Sequence, residues 1–141
     1  MTRTMHPASE LETEFLFELL LEGSDQIDAG QTRIAPVTGG VFSGPSISGT
    51  VASGGADWIT KTAAGDTALD VRLVLVTDDE AQIYMSYTGL VHSGEDGLYW
   101  RVRPQFQTAA KKYDYLNHLV AIGKSKRVEG TIASYDIFRI L

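Results

Sequence analysis

The sequence predicts an all-β protein: a closed antiparallel β-barrel of about eight to ten strands, with at most a short helical turn. Three features point there. Apolar, β-branched and aromatic residues come in short runs, several of which alternate with polar ones at the two-residue period of a strand. Clusters rich in glycine and acidic residues separate the runs at regular spacing, as in barrels and sandwiches. Only the segments 13–22 and 111–118 admit a helix at all. Between sandwich and barrel, closure is favoured because it removes the exposed edges of a long meander.

The elements follow in order. Residues 1–12 read as a loose arm and 13–141 as one barrel domain. "TEFLFELLLE" (13–22) sets Phe15, Phe17, Leu19 and Leu21 on one face. Leucine and glutamate favour a helix, but the turn chemistry of "EGSDQIDAGQ" and the strand-like "TRIAPV" that follow favour a strand. "GGVFSGPSISGTVASGG" is dense in glycine, which inside strands marks bulges or bends at barrel corners. "ALDVRLVLVTDD" (68–79) is the clearest strand, and "AQIYMSYTGLVH" (81–92) pairs with it across a tight acidic turn. "SGEDG" (93–97) turns the chain into "LYWRVRPQFQT". "KKYDYLNH" (111–118) is the place for a helical turn, and "LVAIGKS" and "TIASYDIFRIL" close the chain as strands.

Within 71–76 both faces are mostly apolar: Val71, Leu73 and Leu75 on one, Val74 and Val76 beside Arg72 on the other. An antiparallel strand buried on both faces needs cover outside the barrel as well as inside. No long helix is available to supply it, so a homo-oligomer is expected.

Composition narrows the function. A chain of 141 residues suits one domain and can bury roughly two-thirds of its unfolded surface without metal or disulfide staples. There is no cysteine, which removes disulfides, thiolate nucleophiles and cysteine-ligated zinc. The net charge of −6 repels a phosphate backbone. The basic stretch "GKSKR" (123–127) and the pair Lys111 and Lys112 read as solvated turns, so no nucleic-acid partner is expected. The N-terminal segment lacks the apolar core of a signal peptide, and no run approaches the ~20 apolar residues of a membrane helix. A soluble cytoplasmic protein with no membrane partner is the expectation.

No GxSxG, HExxH, GxGxxG or EF-hand pattern occurs. "GKS" at 123–125 fails as a phosphate loop, because His118 stands where the pattern needs glycine. His6, His92 and His118 share no ligand spacing. No metal and no cofactor are expected.

What remains is a set of polar groups on strands. Asp70 and Arg72 share a face that continues into Val74 and Val76, which suits the mouth of a ligand cavity; a salt bridge at a strand end is the plainer reading. Asp57 and Trp58 point to opposite faces, so one of them alone can face a lumen. Trp58 as core and Asp57 as a turn acid after Gly54 and Gly55 is the alternative. Tyr84 and Tyr87 also take opposite faces. Tyr99, Arg101 and Arg103 form a row suited to an anionic or phenolic ligand, or a plain charged outer face. Tyr113, Tyr115 and Asn117 could cap a cavity or build a corner.

Several segments together, "GGVFSGPSISGTVASGGADW", "LDVRLVLVTDD", "IYMSYTGLV", "YWRVRPQFQT" and "YDYLNHLVAIG", resemble the domain-of-unknown-function 3237 family in their order. The resemblance spans residues 13–141. It implies a small barrel similar in architecture to allene oxide cyclases and dirigent proteins, a calycin-like shape. For activity it implies cofactor-independent cyclisation in specialised metabolism, such as adding a hydroxyl across an alkene. Its motifs map onto Asp57 and Trp58, Asp70 and Arg72, and Tyr115 and Asn117. Tyr115 stands where tryptophan is common, Trp100 where phenylalanine is, and Glu80 where glycine usually follows the acid.

Two functions are then expected in competition. One is a cyclase, lyase or isomerase acting by acid–base chemistry on an aromatic or polyketide-like small molecule. Its acid would be Asp57 or Asp70, with Asp57 the better candidate because Asp70 beside Arg72 should stay ionised and would then be the base or an anchor for Arg72. Arg72, Tyr84 and Asn117 would hold the substrate oxygen, with Trp58, Arg101 and Tyr115 completing the pocket. The other is a barrel that carries a small hydrophobic ligand unchanged, and beside both stands a structural homo-oligomer whose polar groups only tie strand ends together.

Overall fold

The computed structural model describes residues 9–141; residues 1–8, with His6 and most of the expected N-terminal arm, lie outside the described residues. Ten strands follow one another: β1 (Thr13–Gly23), β2 (Ile27–Asp28), β3 (Thr32–Ser43), β4 (Ser48–Val51), β5 (Gly55–Lys61), β6 (Thr67–Thr77), β7 (Gln82–Gly94), β8 (Gly97–Gln107), β9 (Val120–Ser125) and β10 (Ala133–Ile140). Neighbours pair antiparallel, and β1 pairs with β3 to close the sheet on itself. The expected barrel is there: eight strands in the closed wall and two short extra ones. The helical turn expected at 111–118 is a 3-10 segment, Lys111–His118.

The alternation read in β1 holds from Phe17 onward, where Phe17, Leu19 and Leu21 are buried. Phe15 departs from it. A register shift between Phe15 and Phe17 against β10 makes Leu16 the extra residue, so Leu16 is buried and Phe15 is left at the surface.

β4 and β5 act as one interrupted strand between β3 and β6. Val51 of β4 sits opposite Leu75, and Ala56 of β5 sits opposite Arg72. The surplus residues form the Ala52–Gly54 turn, where Gly54 takes φ +115°, a conformation that favours glycine. Gly55 then lies so close to β6 that a Cβ would stand 2.5 Å from the Arg72 carbonyl oxygen. The glycines of "GGADW" therefore press the start of β5 onto β6 and set the register of Asp57.

The interior has two ends. At one, Phe17 meets Phe42 and Phe106 edge to face, with ring centroids 5.5 and 5.9 Å apart. Leu75 and Ile83 fill in around them, and buried Tyr113 and Leu116 of the 3-10 segment complete the packing. At the other end Tyr135 meets Tyr87 and Trp100 edge to face, at 5.3 and 5.9 Å, and space remains.

Candidate active site

Strand pairing decides which predicted residues face the lumen. Asp57 stands opposite Ala35 on one side and Val71 on the other, both buried. Successive side chains alternate, so Asp57 points inward while Trp58 and its partner Asp70 point outward. On β6 the lumen face is Val71, Leu73 and Leu75, and the face of Asp70, Arg72, Val74 and Val76 is the outer one.

The other predicted residues follow from the same parity. The Arg72 guanidinium lies 5.9 Å from the Trp58 ring centre, and Trp58 is 38% exposed. Tyr84 is 41% exposed and borders an outer depression with Arg72 and Arg103. Arg101 donates from Nη1 to the Trp100 carbonyl oxygen at 2.9 Å and lies 5.0 Å over the Tyr99 ring, also outside. Asn117 is a clamp at the packed end: its Oδ1 accepts from the Thr108 N–H (2.9 Å), while its Nδ2 donates to the Thr108 carbonyl (2.9 Å) and Asp114 Oδ1 (3.1 Å). Tyr115 is half-buried on the same segment, packed against the core. Of the eight, Asp57 alone lines the cavity at the open end.

That cavity measures about 240 Å³. Leu21, Val37, Ile59 and Leu69 form apolar wall, and Asp57, Tyr87, Thr67, Trp100 and, near the rim, Gln26 and Arg33 bring polar atoms to it. Sequence reasoning missed Arg33, Tyr87, Trp100 and Tyr135 as members of one site. The signal was parity: in "TRIAPV" Arg33 shares a face with Ala35 and Val37, and Tyr87 shares one with Ile83 and Met85.

Asp57 Oδ1 is buried with no hydrogen-bond partner. Burial pushes the carboxyl up from 3.8 to about 6; a backbone N–H of Asp70 opposes this, and the negative charge of Asp70 adds to it. Tyr87 Oη is likewise buried without a partner of good geometry. Burial raises its pKa well above 10, with smaller contributions from Tyr135 and the Asp57 charge, so it is a neutral phenol at physiological pH. Tyr135, pushed up to about 12 mainly by burial, accepts a hydrogen bond from Trp100 Nε1 at 3.2 Å. The cavity lining therefore holds one carboxyl with a pKa raised to about 6 and one neutral phenol, whose hydroxyl has no well-formed hydrogen bond.

Among the described residues no group of three or more histidine, cysteine, aspartate or glutamate side chains could hold a metal ion. His92 and His118 sit outside the cavity, with Nδ1 of His92 2.6 Å from Asp66 and Nε2 of His118 3.3 Å from Asp114. No helix among the described residues is long and apolar enough to cross a membrane.

Fold and site define a class: a small antiparallel β-barrel, packed solid at one end, with a lone protonatable carboxyl in a cavity at the other. The chain belongs to the DUF3237 family, a protein family of unknown function, whose profile matches residues 9–140. It is 29% identical over 150 residues to a UPF0311 protein of Rhodopseudomonas palustris, covering 93% of this chain and 97% of that one. It is 32% identical over 115 residues to the hydroalkoxylation enzyme phnH of Penicillium herquei, covering 78% of this chain and 71% of that protein. A crystal structure of a β-barrel-like protein from Acinetobacter baumannii superposes with a TM-score of 0.87 at 27% identity, over 97% of this chain and 100% of that one. An enzyme from Penicillium herquei shares the fold, with a TM-score of 0.77 at 24% identity over 99% of this chain and 100% of that one.

Proposed function

We propose that the protein is a cofactor-independent cyclase or isomerase acting on an unsaturated aromatic or polyketide-like molecule, with Asp57 as general acid. The observation that carries this reading is the buried, unpartnered Oδ1 of Asp57 in a mostly apolar cavity. A carboxyl with a pKa of about 6 keeps a useful protonated fraction near neutral pH and remains a strong enough acid to give the proton up. The likeness to a hydroalkoxylation enzyme supports the same chemistry.

In that reaction the Asp57 proton goes to one alkene carbon and leaves a cation at the more substituted carbon. A hydroxyl of the same molecule attacks that carbon, the C–O bond forms, and the hydroxyl proton returns to the Asp57 carboxylate. The product is an isomer of the substrate. Tyr87, whose hydroxyl lacks a well-formed hydrogen bond, donates to a substrate oxygen, and the apolar wall excludes water that would otherwise capture the cation. Asp70 acts from the outer face through its charge, as a positioning residue. A plain carrier would use the same cavity but has no need of a carboxyl with one buried oxygen left without a hydrogen bond, which burial makes costly.

The test uses 2-prenylphenol in D2O. The expected product is 2,2-dimethylchroman with one deuterium on the carbon next to the new C–O bond, and Asp57→Asn is expected to abolish its formation. Undiminished turnover in that variant, or recovery of the ligand with neither cyclisation nor exchange, contradicts the reading.

Trp58, Arg72, Tyr84 and Arg101 fit a different role on the outer face. We propose that this face is the contact between subunits, since Trp58 and Tyr84 are exposed beside half-buried Val74 and Val76. Sedimentation should give an oligomer that Tyr84→Arg dissociates; a monomer at every concentration contradicts it.

A further inference from the structure

Arg33 gives the cavity a second chemical feature, independent of the acid. It sits opposite Ile59, two residues along β3 from Ala35, the partner of Asp57. Arg33 and Asp57 thus share the inner face, separated by roughly 7 Å along the strands. Arg33 is exposed at the rim, yet it lines the cavity. Among the described residues its one side-chain hydrogen bond runs from Nη1 to Gln26 Oε1, at 3.1 Å. A guanidinium has five N–H donors in a planar fork. Here no carboxylate takes up the remainder, because among the described residues Arg33 forms no ion pair. Among the residues lining this cavity it is the one cation and Asp57 the one carboxyl. The volume, about 240 Å³, equals that of only ~8 water molecules. That is room for the reacting part of a small substrate, with Arg33 standing at the rim.

We propose that Arg33 binds a substrate carboxylate at the cavity mouth, so that the natural substrate is a compact unsaturated organic acid whose apolar arm reaches toward Asp57. The fork of a guanidinium matches the two oxygens of a carboxylate, and the fixed distance between rim and floor selects which carbon of the arm meets the acid. The inference rests on the cavity being the reacting site proposed above, but its test reads binding alone.

The probes are cinnamate and its neutral isostere cinnamamide, titrated calorimetrically at pH 7 into the intact protein. Cinnamate should bind about tenfold tighter than cinnamamide, the scale of one charge-assisted pair at a partly exposed site. In Arg33→Gln the two should bind alike, with cinnamamide affinity unchanged, and Arg33→Lys should restore part of the preference. Equal binding by the natural protein, a preference that survives Arg33→Gln, or no binding of either probe at millimolar concentration overturns the proposal. The two proposals fail separately. Turnover that survives Asp57→Asn removes the acid and leaves the carboxylate preference standing, whereas loss of the preference leaves the acid untouched.

Discussion

Asp57 costs the fold stability where it serves chemistry. Its folded-state pKa, about 6, lies above the ordinary carboxylate value of 3.8, so the folded protein binds this proton more tightly than the unfolded chain does. The penalty is absent below about pH 4, grows as pH rises through 4 to 6, and is complete above 6, on the order of 3 kcal/mol. Asp57→Asn is therefore expected to stabilise the protein at pH 8 by roughly 2 kcal/mol and to make no difference at pH 3.5. Thermal unfolding of both proteins across that range checks it, and a constant offset would speak against a raised pKa. Turnover by the natural protein should fall with rising pH above about 6, following the protonated fraction. Tyr87→Phe removes a hydroxyl that has no well-formed hydrogen bond and only a weak interaction with Tyr135, so stability should change by less than ~1 kcal/mol while turnover drops about tenfold or more. Sequence could establish that Asp57 and Trp58 take opposite faces, and that Asp70 and Arg72 share one. It could not say which face is the lumen, because both faces of β6 carry valine or leucine and the polar pair Asp70 and Arg72 suits the mouth of a cavity as well as an outer surface.

At the scale of elements, turns and hairpins were the most legible parts. The β6–β7 hairpin, the Gly94–Gly97 connection and the 3-10 segment lie where glycine, acidic and aromatic residues place them. Glu80, noted in the sequence as standing where glycine is usual, takes φ +69° in the β6–β7 turn, a conformation that carries strain for a residue with a side chain. Glu80→Gly should stabilise the protein by roughly 0.5–1 kcal/mol, net of the entropy glycine loses on folding, as read by denaturant unfolding. Beside that turn, hydrogen bonds from Thr77, Tyr113 and Lys112 hold the Asp79 carboxyl well below the usual range. Gly40 is less forgiving. At φ +147°, its Cβ would stand 2.2 Å from the Leu20 carbonyl oxygen where β3 closes onto β1. Gly40→Ala should cost roughly 3 kcal/mol, also by denaturant unfolding. The bulge at Leu16 was not legible, because it arises from fitting β1 against β10, a strand more than a hundred residues away.

At the scale of the molecule, the all-β composition and even turn spacing pointed to a barrel, and the pairing of β1 with β3 closes it so that neither strand is left as an open edge there. That one end packs solid and the other stays hollow was not legible. It depends on which inward residues share a level: Phe17, Phe42 and Phe106 meet at one end, while Asp57 and Tyr87 meet at the other, where the wall includes the small Ala35 and Ala133. The hollow end leaves one carboxyl oxygen of Asp57 without a partner, and the proposed chemistry depends on that acid keeping a protonated fraction near neutral pH. The most direct measurement is the carboxyl 13C shift of Asp57 followed against pH, assigned by its loss in Asp57→Asn. A titration midpoint near 6 is expected; a midpoint near 4 contradicts the acid at the centre of the proposed reaction.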